Sequence, residues 1–167
     1  MASFQYGQPI TLQWSLTGAA PTSISLEAFG QGTLSLNPLA TSAVVTPSHP
    51  ITYTVIVENG KGADSATWTF TQLPSTTTLV SSASPSVSGQ PVTLTATVTL
   101  GATGIVSFSD TSAATPLILG SGAVSSGTAT FTTSALALGP HAIIAGYSGD
   151  QDFAPSQSAA LTQSVTP

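Results

Sequence analysis

Residues 7–18 read GQPITLQWSLTG, and residues 89–101 read GQPVTLTATVTLG. Both stretches enter through Gly-Gln-Pro and then alternate apolar with polar side chains. Ile10, Leu12, Trp14 and Leu16 fall on one face of the first. Val92, Leu94, Ala96 and Val98 fall on one face of the second. A two-residue period is the mark of a strand with one buried face. Its return behind the same Gly-Gln-Pro entry predicts two copies of one strand-rich unit rather than a single large fold.

The surrounding sequence repeats this pattern in short runs. TSISLEA (22–28), ITYTVIVEN (51–59) and SATWTFTQ (65–72) follow the first stretch. TGIVSFSD (103–110), GTATFTT (127–133), GPHAIIAGYSG (139–149) and APSQSAALTQSV (154–165) follow the second. Turn residues separate the runs, and Asn59-Gly60 predicts a hairpin turn. No window carries a 3.6-residue apolar period. About seven strands per half at regular spacing predict two β-sandwiches. The alternation lapses at QLPSTTT (72–78), which reads as a short, stiff connector. The expected domains are residues 1–73 and 74–167.

Composition supports an all-β chain. Apolar residues make up 41% of it and charged residues only 4%, against about a quarter in typical domains. Ser and Thr take the solvated positions, and Thr suits a pleated, half-buried surface. The only cation is Lys61, against six carboxylates. It cannot neutralise a phosphate backbone, so nucleic acid is excluded as a partner. Attraction to an anionic lipid surface fails for the same reason. No apolar run reaches the ~20 residues of a membrane span, so direct insertion is not expected. No secretory signal precedes the first strand, and the ordered pattern starts at once. The expectation is a piece excised from a longer exported chain. With no cysteine, disulfides and thiolate chemistry are absent.

At SGQPVTLTATV, TGIVSFSD and GTATFTTSALALGPHAIIAGYSGDQDFAPSQSAALTQSV the sequence resembles a bacterial immunoglobulin-like repeat. The resemblance covers residues 75–166. Its most specific element is Gly139, His141, Ile143, Ala145, Tyr147, Gly149, Asp150 and Phe153. Residues 1–73 are similar to a second bacterial immunoglobulin-like type, through ITLQWSLTGA and HPITYTVIVENGKGADSATWTF. The resemblance implies a tandem pair of Greek-key sandwiches, without catalysis, in a large exported or cell-surface protein. It implies no particular ligand.

Each residue with chemistry has a structural role to weigh against a functional one. Tyr53 sits near the start of strand F, two residues before Val55, where immunoglobulin folds place a cysteine. Trp14 is expected to fill part of the space left by the missing disulfide. His141 starts strand F of the second half, with Ile143, Ala145 and Tyr147 on its core-facing side. The expectation is a neutral ring bonded to backbone groups at the corner. His49, between prolines, is expected in a surface loop. Gly149, Asp150 and Phe153 read as the F–G turn, with Phe153 folding back as a plug. Calcium wants six to eight oxygens. The acids it could draw on are Asp150, Asp152 and Glu27, the last on a strand end expected to face the same domain junction. The turn reading is preferred to calcium, and no metal or cofactor is expected. No G-x-S-x-G elbow, P-loop, Rossmann glycine pattern or H-E-x-x-H motif occurs, and no carboxylate pair could flank a sugar. The expected function is a structural spacer, adhesion-related, whose partners are neighbouring domains of the same polypeptide. The rival is a module binding a surface glycan or protein through Phe29, Tyr6 or Trp68.

Overall fold

The computed structural model describes residues 6–167, and every described element is a strand. The chain divides into two compact units, residues 1–72 and 73–167.

Unit 1 contains β1 (Ile10–Gln13), β2 (Ser23–Ala28), β3 (Gly32–Leu36), β4 (Ser42–Val45), β5 (Ile51–Asn59) and β6 (Gly62–Phe70). β1 pairs with β4, and the facing sheet runs β3-β2-β5-β6. Alternation sets the core. Leu12, Ile24, Leu26, Val45, Ile51, Tyr53 and Val55 are buried between the sheets. Six strands lie in the described part of this unit, one fewer than expected. β1 is also shorter than its alternation. It ends at Gln13, so Trp14 and Leu16 continue its face without being part of it. The β5–β6 hairpin turns one residue later than expected. Asn59 still pairs with Gly62, and Gly60-Lys61 form the loop. The reason is local: Asn59 Oδ1 accepts the Lys61 N–H at 2.8 Å, the side-chain turn that Asn favours.

Unit 2 contains β7 (Thr77–Ser81), β8 (Ser86–Val87), β9 (Val92–Val98), β10 (Ile105–Asp110), β11 (Leu117–Ala123), β12 (Thr128–Thr133), β13 (Gly139–Tyr147), β14 (Ser156–Gln157) and β15 (Leu161–Thr166). One sheet runs β12-β9-β7; the other runs β11-β10-β13-β15-β8, with β14 on β13. The core takes Val92, Leu94, Ala96 and Val98 from β9, Val106 and Phe108 from β10, and Ile143, Ala145 and Tyr147 from β13. Each large side chain buried here contributes about 1.5–3 kcal/mol. The stretch expected to be a short, stiff connector is tied to this unit. Leu73 pairs with Phe153, and Ser75 Oγ donates to Ala154 O at 2.6 Å.

Two glycines let β11 approach β12 closely. A Cβ on Gly120 would lie 2.2 Å from the Phe131 ring, and one on Gly122 would lie 2.5 Å from Thr130 O. The space at Gly120 is taken by Phe131, which stacks on Phe108 with ring centroids 5.8 Å apart.

Candidate functional site

The residues with chemistry in unit 2 gather at the two ends of β13. At its start, His141 Nδ1 lies 2.6 Å from Asp110 Oδ2, and Nε2 lies 2.8 Å from Ala137 O. A carboxylate and a carbonyl can only accept. Only the protonated ring can donate to both, so this setting favours the charged form over the neutral one expected, and the expected backbone partner is present in Ala137. Burial favours the neutral ring, but the bonds to Ala137 and Asp110 outweigh it and raise the His141 pKa. Burial likewise opposes the Asp110 charge, yet bonds from Ser112 and His141 hold its pKa below the usual value. Asp110 Oδ1 takes both the N–H and the hydroxyl of Ser112, at 3.0 and 2.5 Å.

Sequence reading did not pair Asp110 with His141. The strand register joins them: Asp110 sits opposite Ile143, which makes His141 its diagonal neighbour. The pair does not form a nucleophilic triad, because the ring nitrogen that would serve a hydroxyl is occupied by Ala137 O.

At the far end, Gly149 adopts φ 79°, the left-handed region in which glycine costs least. A Cβ there would meet Phe153 O and the Pro155 ring at 3.0 Å. Asp150 follows and joins two loops. Its Oδ1 accepts the N–H groups of Asp152 and Phe153 at 2.9 and 2.7 Å. Its Oδ2 accepts the N–H and hydroxyl of Thr103 at 2.7 and 2.9 Å. Burial would raise the Asp150 pKa, but these four donors pull it down to about 2. The Tyr147 hydroxyl is buried without a hydrogen bond of good geometry. Burial, with the Asp150 charge beside it, pushes its pKa up to about 12. Phe153 packs on the core of unit 2, and a Cβ on Gly101 would meet its ring at 3.9 Å.

This geometry makes a structural turn. Both Asp150 oxygens are taken by protein donors, which leaves little for a cation. Among the described residues, no three His, Cys, Asp or Glu side chains gather as a metal would require. Asp152 gives its backbone carbonyl to Leu73 N–H at 2.7 Å, and its buried Oδ1 has no hydrogen-bond partner. Glu27 is an exposed residue of β2.

A residue that sequence reading did not single out lies at the other edge of this sheet. Gln163 is 0% exposed. Its Oε1 accepts the Ser81 hydroxyl at 2.6 Å, and its Nε2 donates to Ser86 Oγ at 3.1 Å. It thereby joins β7, β8 and β15. The signal was present in LTQSV, where alternation places Gln163 on the same face as Leu161 and Val165.

In unit 1, Tyr53 is buried and meets Phe70 edge-on at 6.0 Å. Trp14 is half-buried, with its indole N–H donating to Ala40 O at 2.9 Å. Trp68 lies 6.2 Å from it, tilted, and both pack on the core. Phe29 is 86% exposed, the Tyr6 hydroxyl bonds Thr71 O, and His49 is half-buried beside Ser48. Lys61 makes no ion pair with Glu58 or Asp64; Glu58 accepts the Ser23 hydroxyl instead. A groove of about 510 Å³ opens beside Trp14, Leu16, Val55, Val57, Asp64 and Ala66.

The model of the bacterial Ig-like domain (group 3) family matches residues 77–166. A comparison with curated proteins returns no match. Two solved structures are returned as similar, one described as the structural basis for Dscam isoform specificity and the other as the N-terminal four Ig domains of Dscam1 isoform 1.9. Each is 12% identical, with TM-scores of 0.47 and 0.40. Each match covers 96% of this chain and 42% of the other, so the chain spans less than half the length of those structures.

Proposed function

We propose, from the premise that the chain belongs to the bacterial immunoglobulin-like domain family, that it is a non-catalytic spacer in an exported, surface-associated bacterial protein. One observation carries this reading. In unit 2 the second strand, β8, is bonded in parallel to the last, β15, with Val165 beside Ser86 and Thr166 beside Val87. Tension applied along the chain would shear this seam rather than peel it, so its hydrogen bonds would share the load. Gln163 adds buried bonds across it. Ser84 adds two more, to Thr162 O and from the Ser164 N–H. The other polar groups described above serve the same end. His141, Asp110 and Asp150 spend their hydrogen bonds holding loops and strands together, which supports a module built for rigidity.

Neighbouring domains of one long polypeptide are the natural partners of such a module. The test is location. In cells expressing the whole parent protein, an epitope placed at the exposed 113–115 loop should be removed by protease added outside intact cells. Recovery of the protected epitope in the cytosol would contradict the reading. A second reading, as a binding module, is favoured by the open groove in unit 1.

A further inference from the structure

The chain holds two asparagines, and their turns form a matched pair. Asn37 sits in LNPLA (36–40) and Asn59 in ENGKG (58–62). Each folds its side chain over the following peptide in the same way. Asn37 Oδ1 accepts the Leu39 N–H at 2.8 Å, and Asn59 Oδ1 accepts the Lys61 N–H at 2.8 Å. The residue between acceptor and donor differs. Pro38 has no N–H. Gly60 has one, and no side chain shields it. A Cβ built on Gly60 would meet nothing within 4 Å.

The setting of Asn59 favours attack on its own amide. Asn59 ends β5 opposite Gly62, so the Gly60 N–H lies outside the β5–β6 ladder. Gly60 and Lys61 are exposed and Asn59 is half-buried, which lets water and hydroxide reach the turn. The Lys61 N–H polarises the Asn59 side-chain carbonyl and makes Cγ a better electrophile. The Gly60 nitrogen is the nucleophile nearest along the chain. Its attack on Cγ closes a five-membered ring, and an intramolecular approach replaces an encounter in solution.

We propose that the Asn59-Gly60 turn is a site of spontaneous deamidation in the folded chain, and that Asn37-Pro38 is not. The Gly60 nitrogen gives its proton to hydroxide and bonds to Asn59 Cγ. The Cγ–Nδ2 bond breaks, and Nδ2 leaves as ammonia with a proton from water, which restores the hydroxide. Water then opens the succinimide at either carbonyl. Opening at Cγ leaves aspartate. Opening at the main-chain carbonyl leaves isoaspartate, whose main chain is one carbon longer. The net change consumes one water and releases one ammonia, with no oxidant or cofactor. Either product adds a negative charge to a chain of net charge −5, next to Glu58. Aspartate keeps an oxygen for the Lys61 N–H. Isoaspartate displaces the Asn59–Gly62 pair that ends the β5–β6 ladder. The proposal is independent of the spacer role.

The test holds the full chain for weeks in mildly alkaline buffer, beside the peptide VENGKGA (57–63) as a clock. Peptide-mapping mass spectrometry follows the gain of about 1 Da as OH replaces NH2, and enzymatic methylation counts the isoaspartate. Conversion at Asn59 and not at Asn37 is expected, at a rate within about tenfold of the peptide. A route through global unfolding would be slower by the unfolded fraction, on the order of a thousandfold or more. Gly60→Ala fits the turn, because Gly60 is not in the left-handed region. Its methyl group should slow ring closure about tenfold. The proposal is overturned if the native chain is intact once the peptide has fully converted. It is also overturned if Asn37 converts alongside Asn59, or if Gly60→Ala leaves the rate unchanged.

Discussion

Asp150 does the most of any single residue in unit 2, because one carboxylate ends four donors from two loops. Asp150→Ala should destabilise the unit by about 1–3 kcal/mol, since buried N–H groups lose their acceptor. Asp150→Asn, which keeps one carbonyl oxygen, should cost less. Chemical denaturation of both variants checks the order. The acid limb of stability has a definite sign. The folded pKa is depressed to about 2, so the contribution of Asp150 is complete above the ordinary value of about 4 and is lost as pH falls towards 2. His141 behaves oppositely. Its pKa is raised in the folded chain, so its contribution is complete below about 6.5 and is lost as pH rises through the folded value. Asp110, held low, sets the acid side of the same pair. The melting temperature of unit 2 should therefore fall from mildly acidic to alkaline pH, and His141→Gln should flatten that slope. An unchanged slope in the variant would show that the pair carries no proton linkage.

Among the elements, the strands themselves were largely legible. Alternation found β2, β5, β9, β10 and β13, and it placed Ile143, Ala145 and Tyr147 on the core side, where they are buried. The Gly149-Asp150 step was legible as a turn because its chemistry is local. What sequence did not yield depends on registers and neighbours. Asp110 meets His141 only through the pairing of β10 with β13. β1 stops at Gln13 although its alternation runs to Leu16, because a strand needs a flank and the period alone does not supply one. Gln163 looks like any polar residue until the strands on either side are placed. The close approach of β11 to β12 belongs to this class as well. Gly120→Ala would put a methyl group 2.2 Å from the Phe131 ring and should destabilise unit 2 by about 1–3 kcal/mol through overpacking. The same change at Gly60, where a Cβ meets nothing within 4 Å, should be close to neutral. Thermal melts of the two variants make the comparison.

For the whole molecule, the two units should differ in stability. Unit 2 buries the full face of β9, and unit 1 leaves three of the four matching residues half-buried. Both tryptophans lie in unit 1, so their fluorescence reports on that unit. It should change at a lower temperature than the far-ultraviolet signal that reports all the strands. The central claim is mechanical, and it rests on the β8–β15 seam with Gln163 behind it. The most direct measurement stretches the full chain between its ends in single-molecule force spectroscopy. Unit 2, the longer unit, is identified by its larger gain in contour length. Gln163→Ala should lower its unfolding force markedly, and Asp150→Asn, beyond the opposite end of β13, should lower it little. Equal forces for Gln163→Ala and the parent chain would contradict a load-bearing seam.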